Sequence, residues 1–403
     1  MKTATKKVAD SLQPPSFKRQ LLCYGGAALF FVLFLLAVVL LNRPLPGAVA
    51  TSASLRTFVP ARVTAVRSDN AAPDSWTEGL RIGTQGVELK LLSGEYRGKI
   101  LPADNYLNAY ANVDVKEGTR VIVRLDLDEG GSPYVVAIVN YDRGPVLGVM
   151  ALLFALMLVV IGGKKGVKAL LGLAFTLVAL WFLLIPLISR GFSPILSTVF
   201  LVVLTTAVSL LLLNGLSQKT LCATLGCVGG VTVAGLVAAL VGVLTPLGGF
   251  NMPEAEELVL RAGEQGVHIR GLLVCGVLIA ALGAVMDVAM AISSSLWELR
   301  TLNPKLDTIA LFRSGMNIGR DAMGTMANTL ILAFVGSSLN MLLLFRIFDY
   351  PYLQILNSDL MAVEIIQGLA GSMGIVLTVP LVALISARIM TLPKKKNQSA
   401  GHQ

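Results

Sequence analysis

Ionisable residues are scarce in this sequence. Asp, Glu, Lys and Arg together make up 14% of the 403 residues, whereas they make up about a quarter of a typical soluble protein. Apolar residues make up 55% of the chain, and the mean hydropathy is +0.74. These values exclude an ordinary soluble protein. They predict a multi-pass α-helical membrane protein that has the lipid bilayer as its main partner.

Residues that bind transition metals or form disulfides are also few. His268 and His402 are the two histidines in the sequence, and no two of the four cysteines form a C-x-x-C pair. The cysteines all fall in apolar segments; they are Cys23, Cys222, Cys227 and Cys275. The sequence therefore predicts no metal site, no cofactor and no disulfide framework.

Signatures of enzymes and of nucleic-acid binding are missing as well. The chain has no Gly-rich phosphate loop and no nucleophile elbow, which leaves ATP hydrolysis and serine hydrolysis unsupported. Intramembrane aspartyl proteolysis needs two apposed acids, and we find Asp287 alone deep in an apolar run, with Asp321 near a boundary. The net charge of +9 is not gathered in a compact basic domain with aromatics. We therefore expect neither an enzyme nor a nucleic-acid partner.

Long apolar runs are what the sequence does contain. They reach the length of about 18 residues that suggests a membrane-spanning helix. We predict eight spans, near residues 21–41, 146–163, 167–189, 195–213, 221–245, 271–296, 322–345 and 366–389. The last seven form a transmembrane domain over residues 145–390, followed by a basic tail over residues 391–403.

The charges between these runs predict the orientation. Basic residues fall on the side of the N-terminus: Lys164, Lys165, Lys168, Lys219, Arg300, Lys305, Arg313, Arg320, Arg388 and Lys394–Lys396. The opposite segment 246–270 carries Glu254, Glu256, Glu257 and Glu264. Because positive residues collect in cytoplasmic segments, we expect both termini in the cytoplasm of a bacterial plasma membrane.

The N-terminal segment has two interpretations. A basic stretch over residues 1–20 precedes the first apolar run at 21–41. A signal peptide is one interpretation, because Ala48-Val49-Ala50 resembles a cleavage site. Signal peptides typically have apolar regions of about 7–15 residues, and this run is longer, which favours an uncleaved transmembrane anchor.

Residues 42–144 have the composition of a soluble domain. Five short segments rich in Val and Ile are separated by turn-forming residues. They are Ala61–Val66, Gly86–Leu92, Gly98–Leu101, Arg120–Leu125 and Tyr134–Tyr141. We predict a small extracytoplasmic β-rich domain of the OB type. Its role is either to bind a ligand or to act as a cap or assembly domain.

Two connecting segments are longer than simple turns. The outer one contains MPEAEELVLRAGEQGVHIR and predicts a short helix that begins near Pro253. The inner one, residues 297–321, mixes apolar and basic residues. It is expected either to lie along the inner membrane surface or to form a solvated linker.

Asp287 is the main candidate for a functional residue. A charged acid at bilayer depth costs a few kcal/mol, so such acids usually serve a function. Residues three, four and seven apart share a helix face, which predicts a stripe of Gly283, Asp287 and Ser294. The next span carries a second set of polar residues: Arg320, Asp321, Thr325, Asn328 and Thr329. Together they predict a proton- or ion-coupling site. The alternative is an acid that only locks two helices through Asn328 or Thr329.

Small residues point to close helix packing in another span. Gly226 and Gly230 form a G-x-x-x-G pair, which permits helix backbones to approach closely. Gly283 on the Asp287 helix is expected to act in the same way. A pathway for substrate along the glycine pair is the alternative.

The motifs around Asp287 resemble a known family. GAVMDVAMAISSS, the Asn-Pro of the inner segment and GRDAMGTMANTLILAFVGSSLN resemble the YibE/F family of bacterial integral membrane proteins. The resemblance extends from about Pro60 to Arg388 and includes the turn at Gly94–Lys99. It implies a bacterial multi-pass membrane protein and no established catalytic residues.

A fainter similarity links the chain to the proton-driven SecD/SecF and RND-type permeases. The order of acidic helix, basic inner segment and Thr/Ser-rich helix is similar to one half of such a permease. Asp287 would correspond to the proton-carrying acid. Eight predicted spans instead of six depart from that pattern, and a homodimer would supply the missing half.

The main expectation is a transporter or export-assisting protein that acts on a small-molecule, lipid or protein substrate. The rival is a non-transporting scaffold or regulator whose outer domain binds a partner or an envelope component.

Overall fold

The computed structural model describes residues 17–43, 56–128, 130–247, 249–251 and 271–392, together with the single positions 255, 258 and 269. Several predictions lie outside these ranges: the basic stretch before residue 17, the Ala48–Ala50 site, the helix near Pro253 and the tail after residue 392. The chain divides into two units, residues 44–158 and residues 1–43 with 159–403.

The first unit contains the predicted β-rich domain. Its strands are β1 (Arg56–Asp69), β2 (Ala72–Pro73), β3 (Arg81–Leu91), β4 (Ile100–Leu107), β5 (Arg120–Leu127) and β6 (Pro133–Tyr141). Each of the five predicted segments falls in or across one of these strands. The alternation of apolar and polar residues is the reason, because it gives β3 a buried face made of Val87, Leu89 and Leu91.

The strands form a curled antiparallel sheet. β1 is central and pairs with β3 and β5, while β4 and β6 pair with the outer sides of β3 and β5. The pairs Val63–Leu89 and Val59–Val123 place apolar side chains in one core. The result is a β half-barrel in which β4 and β6 are the edge strands, as expected for a partly open barrel.

The second unit is helical. The helices are α1 (Phe17–Leu41), α2 (Gly144–Ala179), α3 (Ile185–Ser189), α4 (Pro194–Asn214), α5 (Gln218–Leu244), α6 (Leu272–Leu302), α7 (Thr308–Ser337), α8 (Leu339–Ile347), α9 (Tyr352–Leu356) and α10 (Asp359–Thr391). A π-helical turn at Leu180–Leu184 joins α2 to α3.

The number of spans differs from the predicted eight. Within the described residues, five helical segments are long and apolar enough to cross a membrane, or six if the bent pair α7 and α8 is one span. Two predicted spans, 146–163 and 167–189, fall in the helical segment Gly144–Ser189, which counts as one of the five. The non-helical backbone of Gly163 (φ 53°, ψ −134°) divides this segment into two helices at the predicted boundary. α1 covers the predicted span 21–41 in a helix of 25 residues, Phe17–Leu41, and side chains are described only for its apolar part Leu29–Leu41. The count of eight therefore stays a prediction.

The inner segment is neither a surface helix nor a linker. α6 continues to Leu302 and α7 already begins at Thr308, so the connection is only five residues long. Asp307 caps α7, because its Oδ1 accepts a hydrogen bond from the Ala310 amide at 2.8 Å. Leu311, Gly315 and Gly319 recur every four residues and are buried. This buried stripe draws the segment into the helix bundle, which explains why the expectation was wrong.

α10 packs between α5 and α7 through glycines. A Cβ atom at Gly226 would overlap Val382, and one at Gly230 would overlap Thr378. On the other side, the same substitution at Gly315 or Gly319 would meet Ala383 or Val379. Side chains of α10 therefore occupy the space that the glycines leave open, and the backbones come close together.

Candidate functional site

Asp287 lies in the middle of α6 on an open face. The core face of this helix carries Val285, Val288 and Ile292, which are at most 1% exposed. Asp287, by contrast, is exposed, as are Gly283 and Ala291 one turn before and after it. A Cβ atom at Gly283 would have no neighbour within 4 Å. The stripe that was expected to pack against a second helix therefore faces outward in a single copy of the chain.

The second set of polar residues is also exposed. Gly315 and Gly319 of α7 lie against α6 and α10. Five polar residues further along this helix are exposed: Arg320, Asp321, Thr325, Asn328 and Thr329. The two threonine hydroxyls donate to carbonyls of their own helix, Thr325 to Ala322 at 2.9 Å and Thr329 to Thr325 at 2.8 Å.

The structure does not join the two sets directly. Among the described residues, no hydrogen bond or ion pair connects Asp287 with Arg320, Thr325, Asn328 or Thr329. Ser294 is partly buried and likewise makes no described hydrogen bond to Asp287. The helix lock through Asn328 or Thr329 is therefore not formed in this conformation.

The polar face presents a physical problem in a membrane. An Asp or Arg at the centre of a spanning helix costs roughly 2.5–3.5 kcal/mol on insertion scales. Asp287, Arg320 and Asp321 lie exposed on helices that are otherwise largely apolar. These residues form two separate exposed patches, Gly283, Asp287 and Ala291 on α6 and the five polar residues on α7, and we call the two patches together the polar face. Lipid acyl chains cannot form hydrogen bonds with these polar side chains. Water or another protein surface is therefore the more favourable environment for the polar face.

Glu364 is a candidate that the sequence interpretation missed. We expected the last span to begin near residue 366, but α10 begins at Asp359, which places Glu364 in its second turn. Its Oε2 atom is buried and has no hydrogen-bond partner. It lines a pocket of about 220 Å³ with apolar neighbours from α7, α8 and α10. The signal was a single acid between apolar residues in LMAVEII.

A polar network organises one end of the half-barrel. Arg81 binds both Asp69, with Nη2 2.7 Å from Oδ1, and Asp114, with Nη1 3.0 Å from Oδ1. Gln85 donates from Nε2 to Asp114 at 3.0 Å, and Asn105 donates to the Gln85 side-chain oxygen at 3.1 Å. The hydrogen bond from Arg81 is the main reason that the pKa of Asp69 lies below its ordinary value. Because these groups bond to one another, the network is structural.

The described part of the chain contains no set of side chains arranged to bind a metal ion. No group of three or more His, Cys, Asp or Glu residues there is arranged to hold a metal ion. Cys222, Cys227 and Cys275 are free and buried.

Comparison with known proteins concerns the helical part of the chain. The family model of the YibE/F-like protein matches residues 150–392, more than half of the chain. We had expected the resemblance to begin near Pro60; the match leaves the β-rich domain outside. No curated protein and no solved structure matches the chain, and the similarity to SecD/SecF and RND-type permeases stays a hypothesis. Asp287, the polar residues of α7 and Glu364 all lie within the matched segment, and the chain belongs to the YibE/F-like protein family.

Proposed function

We propose that this membrane protein is an ion- or proton-coupled transporter or export-assisting protein, with Asp287 as the coupling acid. The observation that carries the proposal is the carboxyl group of Asp287. It is exposed on an apolar helix and has no described partner. An acid that serves only to hold helices together would be hydrogen-bonded to a neighbour. A coupling acid must instead be free to bind and release its ion.

The proposal also assigns functions to the polar residues of α7 and to the β half-barrel. The exposed hydroxyls and amide of Thr325, Asn328 and Thr329 line the polar side of the pathway that reaches Asp287. The β half-barrel acts as an extracytoplasmic gate or substrate platform, and both termini lie in the cytoplasm of a bacterial plasma membrane. The energy comes from an ion gradient, and the chain carries out no enzymatic step.

A second copy of the chain is the proposed cover of the polar face. A two-fold interface must be complementary to itself. The α7 part of the polar face meets this requirement because it carries Arg320 next to Asp321, so that a basic residue of one copy has an acid to face in the other. Gly283 and Gly324 have open space beside them, which permits the close approach of helices.

The rival function is a non-transporting scaffold or regulator that binds a partner through its half-barrel. The Asp287→Asn variant separates the two. If Asp287 couples ions, the variant loses function at a normal protein level in the membrane. If Asp287 has a structural role, the variant loses protein instead.

A direct test needs no knowledge of the substrate. The full-length protein is placed in lipid nanodiscs and treated with dicyclohexylcarbodiimide between pH 5 and pH 9, and modification is quantified by peptide mass spectrometry. This reagent reacts with protonated carboxyl groups in apolar surroundings. We expect labelling of Asp287 that fades as the pH rises.

The matched control is Asp321→Asn, which changes an acid of the same polar face and should leave labelling of Asp287 intact. The Asp287→Asn variant should lose the label in its own peptide only. Absence of labelling at every pH would contradict the coupling role and favour the scaffold.

A further inference from the structure

The half-barrel has two ends, and the directions of its strands divide the loops between them. β1 pairs antiparallel with β3 and β5, and β5 pairs antiparallel with β6, so β1 and β6 run in the same direction. β4 runs that way too, because it is antiparallel to β3. The end at which β6 finishes therefore carries the loops 74–80, before β3, and 108–119, before β5.

This end of the half-barrel continues directly into a candidate membrane span. β6 finishes at Tyr141, and only Asp142 and Arg143 precede the apolar segment Gly144–Ser189. The first part of that segment, up to residue 158, belongs to the same unit as the half-barrel. The Tyr141 hydroxyl donates to the Asp114 carbonyl at 2.7 Å, so the second loop is in contact with the end of β6. Both loops are thus at the end of the half-barrel that faces the membrane surface.

Two aromatic side chains at this end are almost completely exposed. Trp76 in the first loop is 93% exposed, and Tyr110 in the second is 102% exposed. They exceed every other large apolar or aromatic side chain described in the half-barrel; the next, Tyr134, is 69% exposed. Trp and Tyr combine a large apolar ring with one polar atom, and both are enriched where a membrane meets water. The interface of a bilayer therefore suits these two rings better than bulk water does.

The loop that carries Tyr110 has a defined conformation. The side-chain oxygen of Asn108 accepts hydrogen bonds from the amides of Tyr110, at 2.9 Å, and Ala111, at 2.8 Å. Asn112 donates from Nδ2 to the carbonyl of Arg81 at 2.7 Å, which ties the loop to the start of β3. The first loop ends at that same residue. The two exposed rings therefore project from neighbouring loops that are attached to each other.

The residues beside the two rings indicate how the loops recognise their partner. Tyr110 stands between Ala109 and Ala111, so that tip carries no charge. The loop of Trp76 contains two acids, Asp74 and Glu78. Anionic lipids attract basic segments and not acidic ones, so the contact must come from the rings and not from charge. A zwitterionic lipid surface meets this requirement.

We propose that the loops 74–80 and 108–112 form a lipid-docking surface, in which Trp76 and Tyr110 insert their rings into the headgroup layer of the leaflet that α2 enters. The half-barrel is then held against the bilayer by the two rings as well as by α2, which fixes its tilt. This surface does not depend on Asp287 or on the transport role proposed above.

Oxidative footprinting tests the proposal on the unchanged protein. The full-length protein in phosphatidylcholine nanodiscs is exposed to hydroxyl radicals, and oxidation of each aromatic residue is quantified by peptide mass spectrometry and normalised to the reactivity of the free amino acid. By exposure in the chain alone, Trp76 and Tyr110 should be oxidised more than Tyr134. We expect the reverse order, with both residues oxidised several-fold less than Tyr134.

Tryptophan fluorescence identifies what covers the loop. The sequence has three tryptophans, and Trp181→Phe with Trp297→Phe leaves Trp76 alone. Lipids brominated near the headgroup quench a tryptophan that they touch, whereas iodide quenches one that is in water. We expect quenching of Trp76 by the brominated lipid and several-fold weaker quenching by iodide than in the control.

The matched control places the single tryptophan at the opposite end of the half-barrel. It adds Trp76→Phe and Tyr134→Trp to the same background. Position 134 lies at the start of β6, seven residues from the membrane end, or about 23 Å along the strand. It should be quenched by iodide and not by the brominated lipid. Thermal unfolding temperatures establish that both variants are folded.

Three results would overturn the lipid-docking surface. The first is oxidation of Trp76 and Tyr110 at least as strong as that of Tyr134. The second is protection of Trp76 from iodide without quenching by brominated lipid, which would mean that protein covers the loop. The third is equal quenching by brominated lipid at positions 76 and 134, which would mean that lipid contact is not specific to one end.

Discussion

Arg81 connects two segments of the half-barrel through Asp69. Its Nη2 atom lies 2.7 Å from Oδ1 of Asp69 and 2.8 Å from the carbonyl oxygen of Ala71. The same guanidinium reaches Asp114 from its Nη1 atom. One side chain thus ties the end of β1 to the segment before β5.

Acid should weaken this connection. The hydrogen bond from Arg81 lowers the pKa of Asp69 in the folded protein. A carboxyl group with a lowered folded pKa adds stability above its unfolded pKa of about 3.9, and the contribution is lost as the pH falls through the folded value. We expect amide exchange in the segment 105–115 of the full-length protein to increase below about pH 4, after correction for intrinsic exchange rates.

The control for the acid effect is a matched pair of variants. Arg81→Met should show faster exchange in this segment already at neutral pH, with a smaller further increase in acid. Arg62→Met changes an exposed arginine of β1 that makes no described side-chain bond, and should behave like the unchanged protein. If Arg81→Met retained full protection, the network would have no stabilising role.

Replacement by alanine should destabilise the protein at Gly230 but not at Gly283. Replacement of Gly230 by Ala introduces a Cβ atom that overlaps the Thr378 side chain, and overpacking of this kind costs about 1–3 kcal/mol. Gly283→Ala adds the same atom where no neighbour lies within 4 Å. We expect a lower thermal unfolding temperature for Gly230→Ala only. Equal effects in the two variants would contradict the packing of α5 against α10.

The N-terminal cap of α7 can be tested with two substitutions of Asp307 that differ in capping ability. Asp307 accepts a hydrogen bond from the Ala310 amide at 2.8 Å, and removal of such a cap costs about 1 kcal/mol. Asp307→Ala should lower the thermal unfolding temperature, and Asp307→Asn should restore most of it because asparagine caps nearly as well. A loss of equal size in both variants would show that the negative charge, and not the cap, is responsible.

Disulfide cross-linking tests whether two copies meet at the polar face. Gly324 is exposed on α7 between Asp321 and Thr325 of that face, and Leu240 lies on an exposed apolar face of α5. In a background without the native cysteines, Gly324→Cys should form cross-linked dimers in the membrane at a several-fold higher yield than Leu240→Cys. Similar yields at both positions would indicate random collision.

The sequence predicts the β-rich domain better than it predicts the helical contacts. Alternating residues such as Val87 and Leu89 identify the face of a strand that is buried, because the other face meets water. In an apolar helix the lipid-facing and core-facing sides have the same chemistry. The position of Asp287 deep in a helix therefore follows from hydropathy, but the face it occupies does not.

The candidate site near Glu364 was missed for a related reason. A search for apolar runs ends a span at the first charges it meets, so the segment before residue 366 was left outside the last span. In the structure the helix begins at Asp359, and the bend after Ser337 supplies walls of the pocket that Glu364 helps to line. A bend between two helices depends on contacts distant in sequence, and no local pattern predicts it.

The glycine contacts of α10 also determine how that helix is able to move. Thr378 and Val382 face Gly230 and Gly226 of α5, while Val379 and Ala383 face Gly319 and Gly315 of α7. On every one of these helices the spacing is four residues, or about 6 Å along the axis. A shift of α10 by one turn would place one side chain of each pair beside the glycine that the other side chain faces now. A smaller shift would bring side chains against the backbone of the neighbouring helix. Axial movement of α10 between α5 and α7 is therefore expected to occur in steps of one helical turn.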